Sequence, residues 1–154
     1  MNHYPQIRPK DLKIFIKPWS EAEQDAFLVR REVFIQEQGV PAELEIDEFD
    51  PTATHVLGYQ DGQCIGTGRL VALGNGQAQI GRMAVLVQFR KQGIGTQILE
   101  SLIELAKSRG MHQLILHAQI AAIPFYERMG FQAEGPTYDE AGIPHRNMIL
   151  VLPK

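Results

Sequence analysis

The chain is poor in cysteine, in surplus positive charge and in long apolar runs, and each shortage removes a class of function. Cys64 is the only cysteine in 154 residues, so neither an internal disulfide nor a cysteine-ligated metal centre can form, and this usage fits a reducing compartment. Lys and Arg number 15 against 18 Asp and Glu, a formal charge of −3, which leaves no basic surplus to neutralise a nucleic-acid backbone. No uncharged apolar run approaches the ~20 residues that cross a bilayer. The stretch from Met1 to Lys10 is polar and broken by Pro5 and Pro9, unlike a secretory signal. The expectation is a cytoplasmic protein without nucleic-acid or membrane partners. No His-x-x-x-His or comparable spacing occurs, so no metal is expected either.

What is present is ordinary globular material: 44% hydrophobic and 21% charged residues, enough to exclude a disordered or fibrous chain. A chain of this length fits one domain, residues 1–154, with a real core. Leu12, Ile14 and Ile16 alternate with polar residues as in a half-buried strand, and Pro18 ends it. Ser20 and Glu23 have capping-box spacing ahead of a helix running to Gly39. Residues 40–54 lose periodicity and crowd Glu43, Glu45, Asp47, Glu48 and Asp50 together, as a loop or short irregular helix would. Three strands in antiparallel series follow, over 55–59, 64–73 and 77–85, with Asp61-Gly62 and Gly74-Asn75-Gly76 supplying hairpin turns.

Ile94, Ile98, Leu102 and Ala106, joined by Leu99 and Ile103, mark one stripe of a helix over 93–109 that Gly110 closes. Residues 113–118 read as a central strand buried on both faces. A short helix over 120–129 with Pro124 in its first turn precedes two strands, 131–134 and 147–152, and turn signals at Gly135-Pro136 and Ala141-Gly142 lie between these. The fold class is α/β: a mixed, mostly antiparallel sheet of about seven strands flanked by helices.

The informative segment is Arg90-Lys91-Gln92-Gly93-Ile94-Gly95, between a strand and a long helix. Glycines 93 and 95 let backbone approach a ligand, and the first amides of the helix, with its dipole behind them, attract anionic oxygen such as a pyrophosphate. A dinucleotide-binding fingerprint fails because Ile98 stands where a third glycine is needed. A triphosphatase loop fails because no lysine separates Gly95 from Thr96. Glycines that merely permit a tight turn are the remaining alternative.

In context, Arg90, Gly93 and Gly95 match the Gln/Arg-x-x-Gly-x-Gly/Ala signature, and the segment Ala121 to Phe131 looks like a second element, of the GCN5-related N-acetyltransferase (GNAT) superfamily. Val33 to Gln38, Glu45 to Asp50, His55 and Gly142-Ile143-Pro144-His145 resemble its ElaA-like branch. The resemblance implies a splayed acyl-CoA N-acyltransferase sheet holding acetyl-CoA as co-substrate and transferring its acetyl group to an amine by direct attack. It implies that Met83, Ala84 and Val85 line the thioester, that Arg90, Lys91, Gln92, Gly93, Ile94, Gly95 and Thr96 hold the pyrophosphate, and that Phe125 touches the cofactor. Tyr126 would protonate the departing thiolate, with a phenol near the ordinary pKa of ~10.

Histone-directed relatives carry a glutamate base at the position of Gln79, and an amide cannot accept that proton. Glu37, Glu45, His55, His117 and His145 are the candidates in its place, Glu37 and His117 foremost. The acceptor pocket would be built from the first helix, residues 40–54 and the segment Tyr138 to His145, with its acids favouring a cationic amine. A homodimer is a family-level expectation. A CoA-binding module without catalysis and a transferase of longer acyl groups are the alternatives.

Overall fold

A computed structural model describes residues 11–153; the polar N-terminal stretch read above lies outside them. The sheet has seven strands: β1 (Lys13–Pro18), β2 (Thr54–Gln60), β3 (Gln63–Gly74), β4 (Gln77–Val85), β5 (Gln113–Gln119), β6 (Gln132–Glu140) and β7 (Ile143–Val151). Their order is β1-β2-β3-β4-β5-β7-β6, and every pairing is antiparallel except β4 with β5. The helices are α1 (Trp19–Arg30), α2 (Ala42–Glu45), α3 (Ile94–Ser108) and α4 (Ile123–Arg128).

The apolar stripe of α3 lies on the sheet as its spacing predicts, with Ile94, Ile98, Leu99, Leu102 and Ala106 at most 2% exposed against Ala78, Ile80, Leu114 and Leu116. Each of these isoleucine and leucine side chains contributes roughly 1.5–3 kcal/mol through burial. Gly66 and Gly68 of β3 make the approach close: a β-carbon on Gly68 would come within 2.8 Å of Leu102 Cδ1, and one on Gly66 within 2.7 Å of Ile98 Cδ1. On the opposite face α1 seats Trp19, Ala22 and Ala26 against Leu57.

The structure corrects four expectations. The capping box at Ser20 is not used: α1 starts at Trp19 directly after β1, with extended Pro18 as its N-cap and no side-chain hydrogen bond. The first helix does not run on as an α-helix but passes at Arg31 into a π-helix, Arg31–Glu37, whose wider turns are common at functional sites. Gly135-Pro136 does not turn the chain; it sits within β6 at a register irregularity between Glu134 and Tyr138. Pro136 is tolerated there because β6 is an edge strand. Finally, β5 is buried on one face only, with Leu114, Leu116 and Ala118 inside while His117 on the other side is exposed.

Candidate active site

The cleft begins where two parallel strands part. β4 and β5 are paired from Gln77 with Gln113 to Ile80 with Leu116 and no further. In β4 the register against β3 shifts just beyond that point, between Arg69 opposite Gly81 and Thr67 opposite Ala84, and Arg82 takes a positive φ of 51°. A bulge of this kind bends and re-aims a strand, so residues 81–85 turn away from β5. Backbone strain of this sort persists only when neighbours hold it. Arg82 is held: its guanidinium donates to the Glu45 carbonyl at 3.0 Å, to the Leu44 carbonyl at 3.2 Å and to Asp47 at 3.1 Å.

Past Val85 a 3-10 turn, Val87–Phe89, leads to Arg90, and positive φ at Lys91 (63°) and at the α3 N-cap Gly93 (82°) swings the chain into the helix. Gly93 supplies no capping side chain, so the first amides of α3 remain available to an outside acceptor. Gly95 faces the cleft: a β-carbon there would lie 3.6 Å from the Phe125 ring and 3.7 Å from Val85 Cγ2. The loop, the end of β4 and α4 therefore converge on one spot, where the first amides of α3 suit an anionic group. Exposed Lys91 adds a cation. Ile94, by contrast, is 2% exposed and turns its side chain into the core, so only its backbone can face a ligand.

Met83 is half-buried and Ala84 buried on β4 beside the splay. Tyr126 is 8% exposed, edge-on to Phe125 at 5.0 Å and to Phe131 at 5.9 Å, and no hydrogen-bond partner to its hydroxyl occurs among the described residues. Burial pushes this phenol up to about 12, above the ordinary value read from sequence, so it stays protonated.

The base candidates separate sharply. Glu37 grips Arg90 through both oxygens, at 2.6 and 2.7 Å, while Arg90 Nε donates to the Val85 carbonyl at 2.8 Å. The hydrogen bond from Arg90 lowers the Glu37 pKa, which makes it a weak proton acceptor. His55 is 1% exposed, packs tilted against Trp19 at 4.8 Å and contacts the Asp50 carbonyl at 3.0 Å; burial lowers its pKa. Glu45 is 1% exposed and bonded to Arg30 at 2.6 Å. His145 contacts the Ile143 carbonyl at 2.7 Å. His117 is the first β5 residue beyond the last β4 pair, with Nδ1 3.0 Å from Glu140 and a side chain 36% exposed.

Several contacts escaped the sequence reading. Asp50 and Asp47, with Glu45, are matched by Arg30, Arg69 and Arg82 in one ionic cluster. Its charges cancel, so these acids give no reason to favour a cationic amine. Arg69, a lone charge in an apolar strand run, was the signal that a buried partner existed. Gln38, just past the π-helix, exchanges amide hydrogen bonds with Gln119 at 2.9 and 3.4 Å, so that helix touches the β4 side of the splay through Glu37 and the β5 side through Gln38. Glutamine pairs carry no sequence signal.

Among the described residues no helix is long and apolar enough to cross a membrane, and no group of three His, Cys, Asp or Glu is placed to hold a metal ion. Cys64 is half-buried, its thiol pushed up to about 12 by burial and therefore unreactive.

Comparison with known proteins identifies the family. Residues 18–152 match the family model of the acetyltransferase (GNAT) domain. An uncharacterized N-acetyltransferase, YjcF of Bacillus subtilis, is 37% identical over 139 residues, covering 90% of this chain and 99% of that one. The crystal structure of an acyl-CoA N-acyltransferase from Pseudomonas aeruginosa is similar at TM-score 0.81 and 30% identity, over 90% of this chain and 98% of that one. Escherichia coli ElaA shares the fold at TM-score 0.80 and 24% identity, over 90% and 98% of the two chains. The family model spans most of the chain and a relative above 30% identity covers it nearly end to end, and this chain belongs to the GNAT acyltransferases.

Proposed function

We propose that the protein is a cytoplasmic enzyme, working as one GNAT domain, that moves an acetyl group from acetyl-CoA to the neutral amine of a small molecule or peptide by direct attack. The observation that carries this reading is the convergence at Gly95 of the open first turn of α3, the end of β4 and the α4 aromatics. Amides of Gly93 to Thr96 hold the pyrophosphate with Lys91 beside it, and pantetheine lies along Met83, Ala84 and Val85. Arg90 acts from the rim, fixed by Glu37 and tied to the Val85 carbonyl, so it sets the loop rather than the phosphates.

His117 takes the proton of the attacking amine, because it is exposed and stands at the split, whereas Glu37, exposed as well, is held through both oxygens by Arg90. As the carbon–nitrogen bond forms and the carbon–sulfur bond breaks, Tyr126 donates a hydrogen bond to the leaving sulfur. A phenol raised to about 12 serves better as that donor than as a base. The acceptor enters on the open side of the sheet, between the π-helix and the β6–β7 hairpin.

Titration with acetyl-CoA followed by thiol-release assays against polyamines, aminosugars, arylalkylamines and peptide amines tests the reading. Acetyl-CoA binding with turnover of one amine class is expected; binding only of longer acyl-CoAs, or none, contradicts it. Tyr126→Phe should lower kcat about 10²-fold with acetyl-CoA affinity nearly unchanged. Unchanged turnover removes Tyr126 from the step.

A further inference from the structure

The open face of the sheet carries one carboxylate set between two imidazoles. Glu140 is the last residue of β6, and the two-residue turn Ala141-Gly142, with φ of 53° and 80°, fixes the pairing that follows. Glu140 stands opposite Ile143 and Tyr138 opposite His145. Through β7, Asn147 stands opposite His117 and His145 opposite Gln119. Strand alternation then brings His117, Gln119, Tyr138, His145 and Asn147 to one side of the sheet. A turn set by two residues thereby delivers a carboxylate to a histidine that is 23 positions away in sequence.

The contacts assign the protons. Glu140 Oε1 is 3.0 Å from His117 Nδ1, and Oε2 is 3.6 Å from His145 Nε2. A carboxylate only accepts, so Nδ1 of His117 is the N–H and Nε2 carries the lone pair. Among the described residues nothing bonds that Nε2. The ring is walled by Tyr138, edge-on at 5.9 Å, which itself stacks on His145 at 6.2 Å and donates its hydroxyl to Asn147. His145 is fixed in turn by the Ile143 carbonyl, and the half-exposed Glu140 makes its hydrogen bond to His117.

We infer that Glu140 is a positioning residue for acyl transfer, holding His117 in the Nδ1–H tautomer with Nε2 free to take the amine proton. The inference rests on the proposed role of His117. In the step, the amine nitrogen bonds the acyl carbon and the carbon–sulfur bond breaks. The nitrogen's proton passes to Nε2 while the sulfur departs as CoA thiolate, hydrogen-bonded to Tyr126.

The full chain, as His117→Ala, Glu140→Ala and Glu140→Gln, separates the two claims. The readouts are kcat with the best amine of the panel, KM for acetyl-CoA, and the tautomer of His117 from nitrogen-15 spectra of labelled histidine. His117→Ala should lower kcat about 100-fold, the scale of a lost general base. Glu140→Ala should lower kcat about tenfold with KM for acetyl-CoA unchanged, and should move His117 toward the Nε2–H form that free histidine prefers. Glu140→Gln, whose amide oxygen still accepts from Nδ1–H, should restore most of the rate and the Nδ1–H signal. A Glu140→Ala protein with unaltered kcat or an unaltered tautomer overturns the positioning role, even where His117→Ala is inactive. An active His117→Ala protein overturns the base assignment beneath it.

Discussion

Around Arg30 three carboxylates meet three guanidiniums, and around Glu140 one carboxylate meets two imidazoles; both groups lie on the same side of the sheet and differ in what they leave unpaired. In the first, Arg30 and Asp50 are fully buried, and Arg30 bonds Asp50 at 2.8 and 3.0 Å and Glu45 at 2.6 Å. Arg69 reaches Asp47 at 2.7 Å and Asp50 at 3.0 Å. Almost every donor has an acceptor, so the cluster offers a substrate little and gives the fold a rigid block that braces the Arg82 bulge. In the second, His117 is exposed and keeps a ring nitrogen unbonded. Saturation marks scaffold, and an unsatisfied basic atom at the cleft marks chemistry.

The largest expected effect breaks the buried side. Arg30→Ala leaves buried Glu45 without its side-chain hydrogen-bond donor and Asp50 with Arg69 as its remaining guanidinium, and should cost about 3–5 kcal/mol in chemical denaturation. A loss below about 1 kcal/mol would mean that the cluster is not the brace described.

The two clusters also show what was legible from residues alone. Local patterns placed the first five strands and the long helix to within a few residues, because turn chemistry at Asp61-Gly62 and the spacing of four in α3 act over short distances; the last two strands, read as 131–134 and 147–152, extend to Glu140 and start at Ile143. The glycine turn into α3 was legible for the same reason: Gly93 and Gly95 are near neighbours. The acids of residues 40–54 were visible, but their burial was not, since it depends on Arg30, 20 residues from Asp50, and Arg69, 19 residues from it. Glu140 was missed because its meeting with His117 depends on two pairings in series, β6 with β7 and β7 with β5. The π-helix was missed because helical periodicity does not announce an added residue per turn.

Acid sharpens the contrast next. Burial would raise the Asp50 carboxyl, but its hydrogen bond and charge contact with Arg30 outweigh that and bring it from 3.8 to about 2. A depressed folded value stabilises above the unfolded one, so this contribution is complete above about pH 4. About 2 kcal/mol is then lost as pH falls from there to about 2. His55, lowered by burial from 6.5, adds an earlier loss, because below pH 6.5 the unfolded chain binds a proton that the fold resists. Denaturation midpoints across pH 7 to 2 should fall in these two stages. A flat profile would sink the account of the buried cluster.

The smallest expected effect lies on the open side. His117→Ala should change stability by no more than about 0.5 kcal/mol, as surface substitutions do, while lowering kcat about 100-fold. A large stability loss would place His117 with the scaffold and erase the contrast.

The claim on which the site depends is met most directly by a crystal structure with acetyl-CoA. The diphosphate should lie on the amides of Gly93 to Thr96, with pantetheine between residues 81–85 of β4 and 117–119 of β5. A complex whose diphosphate sits elsewhere, with that turn facing solvent and the strands empty between them, would contradict the account.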